Sequence, residues 1–209
     1  MQLVLCSNTS WNIYNFRMPL IKKFLQKNFK IYAFCNKDEF TPYLENLGIE
    51  VIDIKILPNK INILMDLFFF IRLIFLYLKC KPDVVLNFTI KPVIFGSLAS
   101  IFFKHKTINT ITGLGTTFLK NKLLRTITLF LYYISQKKIH KLVFQNQDDM
   151  NFFLNKKIIH KDKSIIIPGS GVDVTKFVSV KYPDDQNIKF LYIGRLIVEK
   201  GVYELIDAI

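Results

Sequence analysis

The chain has 209 residues, enough for one large domain or for one domain and a remainder. Apolar residues make up 51% and charged residues 22%, which excludes bulk disorder, and a chain of this size needs no disulfide or metal staple. Lys and Arg number 29 against 16 Asp and Glu, a net charge of +13; with 20 Phe and a mean hydropathy of +0.27, this points to an anionic ligand or an anionic membrane surface, with nucleic acid as the competing partner.

Short apolar runs alternate with longer helical patterns. Residues 2–6 read as a buried strand and residues 7–12 as a polar loop. A helix is expected from Asn15, with Phe16, Leu20, Ile21, Phe24 and Leu25 on one face and Lys22, Lys23 and Lys27 on the other. Residues 30–35 form the next strand. Thr41-Pro42 is a cap followed by a first-turn proline, Gly48 ends that short helix, and residues 50–54 are a third strand. A long helix spans 62–79, followed by strand 84–88, helix 92–103, strand 107–112, helix 122–137 and strand 141–145. Asn146 caps a short helix starting near Asp148, and residues 164–168 are the last strand of the run. Strands alternating with helices imply βαβ units, right-handed crossovers and a mostly parallel sheet: an α/β, Rossmann-like fold. Residues 1–170 are read as that domain and 171–187, with Gly171 and Pro183, as a linker. Residues 188–209, with an apolar strand at 189–193, are expected to be only the first β–α unit of a second domain.

The cysteines, Cys6, Cys35 and Cys80, are odd in number and widely spaced, which suits reduced thiols and no structural zinc. Residues 1–6 are apolar but lack a basic leader, so no signal peptide is read there. The greasiest stretch, 61–78, is apolar at 15 of 18 positions. Its apolar gain of roughly −7 kcal/mol is offset by about +6 kcal/mol for Asp66 and Arg72, before Asn62 is counted. Those three polar residues fall on one side of a helical wheel, so a helix laid on a sheet is expected rather than a membrane span. His105, His140 and His160 lie beside lysines and read as solvated. Basic pairs such as Lys137-Lys138 and Lys156-Lys157 recur without aromatic interleaving, so nucleic acid is not expected as a partner.

In open parallel sheets ligands sit beyond the carboxyl ends of the strands. Four loops there could carry chemistry. Residues 7–12, with Thr9, Ser10 and Asn12, offer hydroxyls and free N–H groups at a helix start, which suit an anion. Residues 89–92 place Thr89 and Lys91 before a helix that begins with proline, where the lysine could reach a phosphate or a hydroxyl. Residues 112–117 carry Thr112, Gly113 and Gly115; the glycines permit close approach of a ligand, but Phe118 stands where a dinucleotide fingerprint needs its last glycine. Residues 194–201, with Gly194, Arg195 and Lys200, put two cations at a strand-to-helix turn, where a diphosphate fits.

The segments SNTSWNIYNFR, NFTIKPVIFGSLAS, NTITGLGTTF, VFQNQDD, IIPGSGVDVTKF and FLYIGRLIVEKG, in this order, resemble the GT-B glycosyltransferases of family 4. The similarity is strongest to bacterial enzymes that extend undecaprenyl-diphosphate-linked sugars, the bacillosaminyl-lipid N-acetylgalactosaminyltransferase type. The resemblance implies two Rossmann-like domains facing across a cleft. It also implies retaining transfer from a nucleotide-sugar donor, a UDP-HexNAc, to a lipid-linked acceptor. Carried over by position, Arg195 and Lys200 stabilise the leaving diphosphate, residues Thr9 to Asn12 face the reacting sugar, and Thr89, Lys91, Thr112 and Gly113 line the acceptor side. Many family members have a histidine near the position of Thr112 or Gly113, and this sequence has none. A front-face mechanism needs no protein base there, and no metal or other cofactor is demanded.

The family's acidic donor-gripping motif would lie beyond residue 209. The reading therefore expects little or no transfer by this chain alone, and a complementary C-terminal domain as a partner. The basic, aromatic surface implies a cytoplasmic protein held peripherally on the inner face of the cell membrane, with Lys22, Lys23 and Lys27 acting alongside the 61–78 and 93–103 regions. The alternatives are a non-catalytic module that binds a lipid diphosphate or a partner chain, and a nucleotide- or nucleic-acid-binding Rossmann protein.

Overall fold

The computed structural model describes residues 1–58, 61–113, 122–181, 189–194, 196 and 198–208. The chain divides into two units, Met1–Asp173 and Val174–Ile209.

The first unit is built on seven strands: β1 (Gln2–Thr9), β2 (Lys30–Asn36), β3 (Glu50–Asp53), β4 (Val84–Phe88), β5 (Lys106–Ile111), β6 (Lys141–Phe144) and β7 (Ser164–Ile166). They form one sheet in the order β3-β2-β1-β4-β5-β6-β7, every neighbouring pair parallel. The helices are α1 (Ser10–Gln26), α2 (Thr41–Glu45), α3 (Ile63–Cys80), a π-helical segment (Pro92–Gly96) leading into α4 (Ser97–Ser100), α5 (Lys122–Ser135) and α6 (Gln147–Asn155). The chain winds outward from β1 in one direction, returns over the sheet through α3, and continues from β4 in the other. Strand order therefore reverses between β1 and β4.

The period-two alternation of strand side chains divides the core into two layers. Leu3 and Leu5 pack with Ile13 and Ile21 of α1 and Leu44 of α2. Val4 and Cys6 point the other way, onto Phe69, Leu73 and Tyr77 of α3 and Ala99 of α4. A third cluster joins Val93 and Ile94 to Tyr132 of α5 and Phe153 of α6, and α4 packs against both α3 and α5. Thus α1 and α2 cover one face of the sheet, and α3, α4 and α5 the other.

Several elements differ from expectation. The loop expected at residues 7–12 does not exist as such: β1 runs to Thr9 and α1 starts at once, because Thr9 caps it and the Asp38 carboxylate accepts from the Trp11 N–H at 2.8 Å. The buried stripe of α1 is Ser10, Ile13, Arg17 and Ile21, while Phe16 is 40% exposed. Lys22 and Lys23 lie on α1 and Lys27 caps its end, so the sheet separates them from α3 and they do not share its surface.

The helix expected over 92–103 is a wide π turn followed by one α turn. A Cβ on Gly96 would meet the Asn87 Oδ1 at 2.5 Å, so glycine is what lets this segment settle onto β4. Asn87 donates to Asn109 Oδ1 at 2.9 Å, and Asn109 donates to Ser97 Oγ at 2.7 Å and Gln136 Oε1 at 2.6 Å, tying β4, β5, α4 and the end of α5 together. His105 is not solvated: it bonds Ser100 Oγ at 2.8 Å, stacks on Phe103, and is held down to about 4 by burial first and by His140 second.

In the second unit, Lys189–Ile193 forms no strand among the described residues. Phe190, Leu191 and Ile193 are exposed, and a strand needs a neighbour for its ladder. A 3₁₀ turn (Val198–Lys200) and Gly201, at φ +72°, lead into α7 (Val202–Asp207).

Candidate functional site

The reversal between β1 and β4 opens the sheet's carboxyl edge at one place, and open α/β sheets bind ligands there. The register of β1 against β2 slips between Cys6 and Thr9, so β1 carries one extra residue. Such a bulge re-aims side chains. Asn8, in the slipped stretch, accepts from the Thr89 hydroxyl at 2.8 Å, joining the ends of β1 and β4 across the reversal. Thr89 is left-handed at φ +66°, rare for a β-branched residue, and its hydroxyl also lies against the Phe88 carbonyl oxygen.

Among the residues expected in the site, Thr89, Thr112 and Gly113 line one small shared cavity with Ile90, Thr110 and Tyr132. Gly113 has φ +129° and open space where a Cβ would stand, so a ligand can approach its backbone. Thr9 and Asn12 each commit an oxygen to the α1 start: Thr9 Oγ1 accepts from the Asn12 N–H at 3.2 Å, and Asn12 Oδ1 accepts from the Ser7 hydroxyl at 2.8 Å. The free first-turn N–H groups expected there are largely taken, by Thr9 and by Asp38.

Ser10 does not face the site. It is fully buried and bonds Thr41 Oγ1 at 2.8 Å and Cys35 Sγ at 3.3 Å, so it braces α1 against β2 and α2. Desolvation pushes the Cys35 thiol up to about 12, which keeps it protonated. Lys91 is likewise not a free reach for a phosphate: its ammonium pairs with the Asp66 carboxylate of α3, both side chains being largely buried. Gly194 and Lys200 belong to the second unit, where Lys200, itself exposed, ends a 3₁₀ turn. Gly115 and Arg195 lie outside the described residues. No group of three His, Cys, Asp or Glu side chains among the described residues could hold a metal ion.

Sequence reading missed Asn8, Asp38, Asp66 and Arg17. The signal for Arg17 was present: a cation at the i+4 position from Ile13 and i−4 from Ile21 sits on the helix's buried stripe. The other three are visible only once loops distant in sequence are brought together.

The family model described as glycosyl transferase 4-like matches residues 2–146. The chain belongs to this glycosyl transferase 4-like family. Along its whole length it is 25% identical to a curated N,N'-diacetylbacillosaminyl-diphospho-undecaprenol alpha-1,3-N-acetylgalactosaminyltransferase of Campylobacter jejuni, of which it spans 60%. Among solved structures it resembles a glycosyltransferase from Rickettsia africae, with TM-score 0.60 and 15% identity over 79% of this chain and 42% of that one. It also resembles HepE from Anabaena in complex with UDP-glucose, with TM-score 0.57 and 12% identity over 84% and 45%. A UDP-GlcNAc 2-epimerase from Neisseria meningitidis bound to UDP-GlcNAc gives TM-score 0.58 and 19% identity over 81% and 47%. The seven-stranded sheet is thus the N-terminal Rossmann-like domain of a GT-B fold, and the chain covers about half of these structures. Epimerases share this frame, so the fold by itself does not choose between transfer and epimerisation.

Proposed function

We propose that this chain supplies the acceptor-binding wall of a retaining glycosyltransferase that moves a HexNAc from a UDP-sugar onto a lipid-diphosphate-linked glycan. The observation that carries the reading is the polar seam at the sheet reversal, where Asn8 bonds Thr89 beside the Thr112–Gly113 opening. The seam occurs in a chain similar over its full length to an enzyme named for transfer to a diphospho-undecaprenol acceptor. That likeness favours transfer over epimerisation. In this reading Arg195 and Lys200 stabilise charge on the leaving diphosphate, and the departing phosphate takes the acceptor proton on the same face, so Thr112 and Gly113 need supply no base.

Membrane association belongs to the same reading. No described helix is long and apolar enough to cross a bilayer. Yet the outer side of α3 exposes Ile63, Leu64, Leu67, Phe68, Ile71 and Phe75, and α5, on the same sheet face, exposes Leu123, Ile127 and Phe130. Exposed apolar stripes of this extent suit a membrane or protein partner. Lys79, Lys104, Lys122 and Arg125 are exposed on or beside these helices and would meet anionic headgroups. A cytoplasmic protein seated on the inner leaflet by this face would present its carboxyl edge to an acceptor anchored there.

Trp11, the single tryptophan, sits in the first turn of α1, three residues after Asn8, and serves as a probe. Titration with a short-chain prenyl-diphosphate-linked HexNAc should change its fluorescence saturably, and Asn8→Ala with Thr89→Ala should weaken binding about tenfold. No saturable change, or equal binding by the double variant, would refute the assignment.

A further inference from the structure

Arg17 is the observation that the site described above does not absorb. It is 7% exposed and lies on the apolar, sheet-facing stripe of α1 between Ile13 and Ile21. A guanidinium in such a stripe is costly unless its charge and its donors are matched. The matching is incomplete. Its guanidinium carbon sits 4.1 Å from the centroid of the Phe88 ring at the end of β4, and one terminal nitrogen donates to Ser170 Oγ at 3.0 Å. No carboxylate pairs with it among the described residues, and its buried Nε–H has no acceptor.

The neighbouring hydroxyl adds a donor of its own. Ser170 Oγ also accepts from Gln145 Nε2 at 3.2 Å. With both lone pairs of the hydroxyl engaged, its own proton remains to be given. Ser170 stands between Gly169 and Gly171, both left-handed (φ +76° and +71°), each with open space where a Cβ would be. The backbone there can be approached closely. Arg17 at the end of β4, Gln145 just after β6 and Ser170 after β7 all lie at the carboxyl edge of the sheet, where ligands bind in this architecture.

We infer that Arg17, Ser170 and Gln145 form an anion subsite that takes a phosphate group of a diphosphate ligand. The buried, unmatched Arg17 Nε–H and the Ser170 hydroxyl proton are both donors beside a cation, and an oxyanion with several acceptor oxygens complements them. The planar guanidinium fork meets two oxygens of one phosphate, and desolvation lowers Arg17 only to about 10, so it remains a cation at neutral pH. The anion site stands on this geometry. That the phosphate belongs to a diphosphate, whether of a nucleotide or of a prenyl lipid, rests on the proposed function.

The test is a ¹⁵N NMR titration of the whole chain that follows the Arg17 Nε–H resonance, with inorganic pyrophosphate, UDP and farnesyl diphosphate as separate probes. The resonance is expected to shift saturably with pyrophosphate, and the stronger of the other two identifies the source of the phosphate. Arg17→Lys keeps the charge but loses the Nε donor and the fork, and should weaken binding about tenfold. The wild-type titration stands alone if that variant does not fold. An Arg17 resonance unmoved by all three probes overturns the inference, even if the lipid-linked sugar still quenches Trp11. A shift with pyrophosphate in a protein that ignores the lipid-linked sugar sustains the anion site and refutes the acceptor reading instead.

Discussion

The two helical layers on this sheet solve the same packing problem and leave opposite outer surfaces. Helix α1 buries Ile13, Arg17 and Ile21 and turns Lys22, Lys23 and Lys27 to water. Helix α3 buries Phe69, Leu73 and Tyr77 yet also turns Leu64, Phe68 and Phe75 outward. Apolar pressure to cover the sheet explains the inner stripes of both. It does not explain the outer stripe of α3, which the proposed membrane seating would cover. The polar group in the wrong layer teaches the converse: Arg17 faces inward where an apolar side chain would pack, and the proposed anion subsite at the carboxyl edge gives it a use that core packing does not.

The sharpest way to break the contrast is to charge the outer stripe. Phe68→Glu with Phe75→Glu should weaken binding to anionic liposomes in flotation by at least about a hundredfold, each lost ring being worth about 1.5–3 kcal/mol of burial. Reversing Lys22, Lys23 and Lys27 should change flotation far less, and an equal loss from both variants would merge the two surfaces. Neighbouring phenylalanines give the next contrast. Phe69→Ala, from a 1% exposed ring, should cost about 3–5 kcal/mol in urea unfolding, whereas Phe68→Ala, from a 49% exposed one, should stay within about 0.5 kcal/mol.

Gly96→Ala puts a methyl group on the Asn87 amide and should cost about 1–3 kcal/mol, lowering the midpoint of unfolding. The smallest effect is one of pH. His105 is held down to about 4 in the fold against an ordinary 6.5, so the unfolded chain binds more protons between those values. Stability is then fully present above about 6.5 and declines as the pH falls towards about 4. His105→Gln should flatten that decline in acid unfolding curves, and an unchanged slope would place the histidine in water.

Much of this frame was legible in the residues because it follows from local pattern. The run Val84–Phe88 reads as a strand from its apolar residues and from Pro82-Asp83 before it, and both its ends coincide with β4. Asn146 reads as a helix cap because its side chain can accept from the chain ahead, and it does so from the Asp149 N–H; Asn62, where the long helix is expected to begin, accepts from the Met65 N–H in the same way. What local pattern could not give depends on partners far along the chain. Helix α1 starts five residues before the expected Asn15 because Asp38, 27 residues beyond Trp11, accepts from its amide. Lys91 looked available until α3 brought Asp66 to it. Ser10, a hydroxyl in a loop by sequence, is claimed by Thr41 and Cys35. Expected membrane-facing lysines fell on the other side because a helix periodicity defines a face without saying which side of the sheet that face will join.

The central claim is that the carboxyl edge at the β1–β4 reversal receives a lipid-diphosphate-linked sugar. Amide chemical-shift mapping of the ¹⁵N-labelled chain with a short-chain prenyl-diphosphate HexNAc tests it most directly. The account predicts saturable shifts at Asn8, Thr89, Thr112 and Gly113, with those at Tyr77 and His105 unmoved. Shifts confined to Tyr77, Phe103 and His105, or none at saturating ligand, would contradict it.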